Sequence, residues 1–193
     1  MGKSRLEAFS DGVIAILITI MVLEMKVPHG AGLDALLPVW PVFLSYVLSF
    51  VNIGIYWNNH HHLLHAAHKV NGPILWANLH LLFWLSLMSF ATGWMGENHF
   101  STVPVALYGV VLLMSGVAYY VLQQLIVASL GPQSALRREV GRDRKGVFSV
   151  ALYGAAVPLA FVTPIAAMAL YVVVALMWLV PDRRIERVVA GGE

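Results

Sequence analysis

Arg5-Leu6-Glu7-Ala8-Phe9-Ser10-Asp11-Gly12-Val13-Ile14-Ala15-Ile16-Leu17-Ile18-Thr19-Ile20-Met21-Val22-Leu23-Glu24 is a polar cluster running straight into an apolar helix. The uninterrupted apolar part, apart from Thr19, spans residues 12–23, about 18 Å of helix. A bilayer core of about 30 Å needs roughly 20 apolar residues. A helix here that spans must therefore hold Asp11 or Glu24 near or within the hydrocarbon boundary. Ionisable groups at that depth are costly, so they face protein or water and mark an ion path or a structural network.

The whole chain is of this kind. Its 193 residues are 59% hydrophobic and only 11% charged, against about a quarter charged in soluble domains. The expected fold is all-α and membrane-embedded, a single domain with six transmembrane helices over approximately 6–27, 35–58, 73–95, 103–130, 147–162 and 164–181. Pro38 and Pro41 are tolerable near the start of the second span. Asn71-Gly72-Pro73 marks the turn before the third, and Gly131-Pro132 ends the fourth. The last apolar stretch, residues 147–180, is too long for one span, and Pro158 and Pro164 offer its break. The weakly basic start reads as a first transmembrane helix rather than a signal peptide. With no Cys, thiolate metal sites and cysteine nucleophiles are excluded. The net charge of +2 gives no nucleic-acid signal.

Charge orients the spans. Lys3, Arg5, Lys69, Arg137, Arg138, Arg142, Arg144, Lys145, Arg183, Arg184 and Arg187 fall on one side of a six-span arrangement, and only Lys26 on the other. The positive-inside rule then places both termini in the cytoplasm of a cell with an inner (cell) membrane.

Along the first helix Ile16, Ile20 and Leu23 are spaced i, i+4, i+7, with Thr19 beside them. Asp11 lies five residues before Ile16, about 140° around the helix, and cannot share that face. Periodicity alone also allows the stripe to be ordinary helix packing.

These residues resemble a known family. Arg5, the Phe9-Ser10-Asp11-Gly12 element, Ala15-Ile16 and Thr19, together with Tyr56-Trp57 and the following His run, are similar to the prokaryotic relatives of the endosomal and lysosomal potassium channel, the transmembrane protein 175 family. The resemblance implies a homotetramer around a central pore lined by helix 1. It implies a constriction at Ile16, Ile20 and Leu23, and a role for Thr19 in cation selectivity. It assigns Arg5, Phe9, Ser10 and Asp11 to contacts with neighbouring helices rather than to ions. Physical reasoning agrees with a channel of this kind: no Thr-Val-Gly-Tyr-Gly filter is present, which leaves a hydrophobic constriction that dewets and hydroxyls that replace hydration water. Copies of Glu24 at the outer mouth would concentrate cations there, and a solvated helix end is the equal alternative.

The expected function is a potassium-selective leak channel with K+ as permeant ion, no cofactor, and membrane lipid and its own copies as partners. The alternative is a histidine-using divalent metal transporter, suggested by the run from Asn58 to His65 and His68, in which His61 and His65 have i, i+4 spacing. That run reads foremost as a polar helix end at the cytoplasmic interface, with a pH sensor as a further alternative, and no metal site is complete in it. An enzyme is not expected, since no nucleophile with base and orienter appears. His80, mid-span beside Asn78, needs a partner and is expected to join the Ser10 and Asp11 network. Gly54, Gly109, Gly116 and Gly154 are expected to allow close helix contacts.

Overall fold

The computed structural model describes residues 2–67, 69–131 and 144–179, and these form six α-helices and one 3-10 helix. Helix α1 runs Lys3–Leu23, α2 Trp40–Ala66, α3 Gly72–Glu97, α4 Thr102–Ser129, α5 Arg144–Ala160 and α6 Pro164–Leu179. The basic residues Arg137, Arg138, Arg142, Arg183, Arg184 and Arg187 lie outside the described residues.

The punctuation of the sequence sets most boundaries. Asn71 caps α3, its Oδ1 accepting from the backbone N–H of Ile74 at 3.0 Å, and Pro73 sits in the first turn where no N–H is needed. Gly131 follows α4 with φ of +82°, a left-handed value glycine adopts freely. The break in the last apolar stretch is a turn over residues 161–163, closed by Thr163 N–H donating to the Leu159 carbonyl at 2.8 Å. Pro164 then opens α6, while Pro158 is accommodated inside α5.

The second helix starts later than its hydropathy suggests. Leu33–Val39 is a 3-10 segment, and regular α-helix begins only at Trp40. Pro38 and Pro41 each lack the N–H that an α-helix through residues 35–42 would use, so the α ladder cannot extend back past them.

Among the described residues four helices are long and apolar enough to cross a membrane: α1, α2 with its 3-10 lead-in, α3 and α4. The other two, α5 and α6, are shorter apolar helices. Taken with the chain's composition, this is a multi-pass membrane protein.

The helices follow one another in space. Helix α3 packs between α2 and α4, α4 packs on α5, and α5 on α6, while α1 rests on α2 and α3 at the edge of the bundle. The core runs through α3 and α4, with Leu81, Leu85, Met88, Leu112, Leu122 and Ile126 among its fully buried side chains.

Two glycines are set where backbones nearly touch. A Cβ on Gly96 would lie 2.6 Å from the Cα of Val42 on α2, and one on Gly109 would overlap the Tyr171 ring on α6. Among the described residues Gly54 and Gly154 have nothing within 4 Å of such a Cβ and serve no close contact, and Gly116 meets only ordinary van der Waals neighbours.

Candidate pore-lining helix and its anchor

Helix α1 is two-faced. Leu6, Ser10, Ile14, Leu17 and Met21 are buried against α2 and α3. The opposite face is uncovered: Ile16 is 57% exposed, Ile20 41% and Leu23 79%. Thr19 lies in the same uncovered strip, also exposed. The four residues expected to form one stripe are therefore brought together on a surface that no part of the described chain covers.

The hydroxyl of Thr19 is oriented. It donates back along the helix to the Ile16 carbonyl at 2.9 Å, with the Ala15 carbonyl at 3.2 Å. Its hydrogen is thereby committed to the backbone, and what it can offer outward is oxygen lone pairs. That is the polarity a cation requires.

Glu24 forms the C-cap of α1 and is exposed. A carboxylate at a helix C-terminus meets the negative end of the macrodipole, so helix stability does not call for it. Nearby, Lys26 makes an ion pair with Glu97 at 2.9 Å, tying the segment after α1 to the end of α3. The hydrogen bond and the charge of Glu97 raise the Lys26 pKa above the usual 10.5.

The buried face is anchored by a polar relay. The Ser10 hydroxyl donates to the Leu6 carbonyl at 2.9 Å and accepts from Asn78 Nδ2 at 2.9 Å. Asn78 Oδ1 is then left facing His60 Nε2 at 2.6 Å. An amide oxygen only accepts, so the network assigns the proton to Nε2 of His60. Ser10, Asn78 and His60 are each at most 1% exposed, and their mutual bonds meet the demand that buried polar groups be satisfied.

The composition of that relay differs from expectation at one residue. His80 is exposed, and accepts from Trp84 Nε1 at 2.9 Å one helical turn along α3. Positions 78 and 80 point about 200° apart on a helix, so only one can face α1. Asn78 does, and His60 of α2 supplies the imidazole.

Asp11 is half-buried and its Oδ1 accepts from Trp57 Nε1 on α2 at 3.0 Å. Arg5, expected to contact a neighbouring helix, lies 11 residues from Ile16, about 20° from it around the helix, so it shares the exposed face instead. Arg5 is exposed and has no ion-pair partner among the described residues. Phe9 also turns outward, at 47% exposed. Of the Arg5, Phe9, Ser10 and Asp11 set, the chain itself uses Ser10 and Asp11 to hold α1, and leaves Arg5 and Phe9 free on the outer face. Trp57, His60 and Asn78 are anchoring residues to which the sequence reading gave no such role. Trp57 and Asn78 carried a signal nonetheless, as polar-tipped side chains inside apolar runs.

Known proteins resemble this chain closely. The model of the family described as the endosomal/lysosomal potassium channel TMEM175 matches residues 5–88, which hold α1 and its anchors on α2 and α3. A potassium channel of Chryseobacterium sp. (strain P1-3) is 53% identical over 187 residues, covering 97% of each chain. A potassium channel of Chamaesiphon minutus is 32% identical over 171 residues, covering 82% of this chain and 84% of that one. The crystal structure of a lysosomal potassium-selective channel TMEM175 homolog from Chamaesiphon minutus superposes with a TM-score of 0.79 at 27% identity, over 92% of this chain and 96% of that one.

Proposed function

Because the chain belongs to the TMEM175 family, we propose that it is a potassium-selective leak channel that conducts passively through a pore lined by α1. It is an ion channel and not an enzyme. The observation that carries the assignment of the pore is the uncovered strip of Ile16, Thr19, Ile20 and Leu23, on a helix whose other face is locked to α2 and α3. One helix cannot enclose a pore, so copies of the chain around an axis are needed, four by the family resemblance. Rings of Ile16, Ile20 and Leu23 then form a constriction that dewets. The Thr19 oxygens, already turned outward by their own hydrogen bonds, stand in for part of the hydration shell of potassium. Glu24 lies at the mouth and enriches cations there.

The orientation has both termini in the cytoplasm of the cell membrane. Lys3 donates to the His65 carbonyl at 2.6 Å, so the start of α1 and the end of α2 share one end of the bundle. Lys26 and Glu97 mark the other end. Lys3, Arg5 and Lys69 go to the cytoplasmic side, and the single outer lysine is neutralised by its partner. The six spans are one channel domain, with lipid around it and K+ as the permeant ion.

The metal-transporter alternative is not favoured: the relatives are potassium channels, and no group of three or more His, Cys, Asp or Glu converges among the described residues. Purified protein in liposomes with a potassium gradient tests the choice. Passive potassium flux without added zinc or iron is expected, and it should persist when His61 and His65 are replaced by Ala. Flux that appears only with such a metal would reject the channel.

A further inference from the structure

The histidine run at the end of α2 divides by direction. His60 points inward to Asn78, whereas His61 and His65 are exposed one turn apart. Helix α2 has 27 residues, about 40 Å, which exceeds a bilayer core of about 30 Å. The excess falls at the Asn58–His65 end, where the side chains are polar, so these two imidazoles stand in water.

Their arrangement is suited to a shared ligand. The rings of His61 and His65 are stacked, with centroids 6.2 Å apart and planes 21° from parallel. No hydrogen bond commits the ring nitrogens of either among the described residues, so both are available as donors of a lone pair. Rotation about two side chains brings one nitrogen of each to the roughly 2.0–2.1 Å that zinc requires. The platform beneath them is tied to α1. Trp57, which donates to Asp11, lies with its ring tilted 30° to that of His61 at 6.4 Å between centroids, and Lys3 donates to the backbone carbonyl of His65. The Lys3 charge that would oppose a cation is offset by Glu7, 4.0 Å away.

We propose that His61 and His65 form an open two-imidazole site for a divalent transition-metal ion such as zinc, nickel or copper at the aqueous end of α2. Among the described residues no third protein ligand joins them, so water completes the coordination. Imidazole suits these borderline metals, while magnesium and calcium require oxygen ligands and are not bound there. The site is linked to α1 twice, from His61 through Trp57 to Asp11 and directly from the His65 carbonyl to Lys3.

Titration calorimetry with zinc on tag-free, full-length protein in detergent tests the site, and its outcome does not depend on conduction. About one zinc per chain is expected. Removing a group that only hydrogen-bonds to a metal ligand typically weakens a site about 10–100-fold, so losing a ligand itself in His61→Ala or His65→Ala should weaken binding at least about tenfold. His99→Ala and excess magnesium should leave it unchanged. Both substitutions remove exposed side chains, and an unchanged elution position shows that the fold is kept. Zinc binding as in the wild type in both variants, or no binding by the wild type, would overturn the site.

Discussion

The indole N–H of Trp57 on α2 reaches the carboxylate of Asp11 on α1 at 3.0 Å, one residue after the buried Ser10. This bond and the Ser10–Asn78–His60 relay hold α1 by its inner side and leave its outer strip uncovered.

The bond predicts a graded series at Asp11. Asp11→Asn keeps an oxygen for the Trp57 N–H and should cost little, whereas Asp11→Ala and Trp57→Phe lose the bond and should cost about 1 kcal/mol. Thermal unfolding in detergent, followed by elution position, measures the order. Equal losses in Asp11→Asn and Asp11→Ala would mean that the charge, and not the acceptor, is what matters.

The relay distinguishes two neighbouring positions on α3. Asn78→Ala strands the buried His60 N–H and removes a donor to Ser10, so it should destabilise by roughly 2–4 kcal/mol. His80→Ala removes an exposed pairing with Trp84 and should stay within about 0.5 kcal/mol. Unfolding temperatures of the two variants settle it, and a comparable loss for both would contradict the buried network.

How far the sequence carried can be judged at such positions. Proline, glycine and asparagine marked the breaks before α3, after α4 and between α5 and α6, because each has a local effect on backbone dihedrals or hydrogen bonds. Spacing put Ile16, Ile20 and Leu23 on one side of α1, but not whether that side faces the bundle or away from it. Nor did it choose His60 over His80, because consecutive residues of a helix point 100° apart and every span offered several polar residues. Which one faces the bundle depends on helix rotation, set by packing between helices distant in sequence. The same limit applies to Ile14, indistinguishable in type from Ile16, yet 1% exposed in the core.

Selectivity should depend on the Thr19 oxygen. Thr19→Ala is expected to move the bi-ionic potassium/sodium reversal potential toward zero, while Thr19→Ser, which keeps the hydroxyl, should retain most of the preference. An unchanged reversal potential in Thr19→Ala would remove Thr19 from the selectivity mechanism.

The outer ion pair carries a pH signature. Glu97 raises the pKa of Lys26, so the pair's contribution is fully present below the ordinary lysine value of 10.5 and is lost as pH rises through the raised one. Glu97→Gln should therefore be slightly less thermostable than wild type near neutrality, with the difference vanishing only in strongly alkaline buffer. Both groups are exposed, so the effect is small. A gap that grows with alkalinity would contradict this pairing.

Potassium flux from liposomes bearing Ile16→Asn is the most direct test that α1 holds the constriction. An amide at each copy of Ile16 supplies hydrogen-bonding groups to a ring that otherwise repels water. Severalfold faster flux with weakened selectivity is expected, at matched protein incorporation. Val173→Asn, at a similarly exposed apolar position on α6, is the control and should leave flux unchanged. Flux in Ile16→Asn no greater than wild type, or equal increases in both variants, would show that the uncovered strip of α1 does not line the pore.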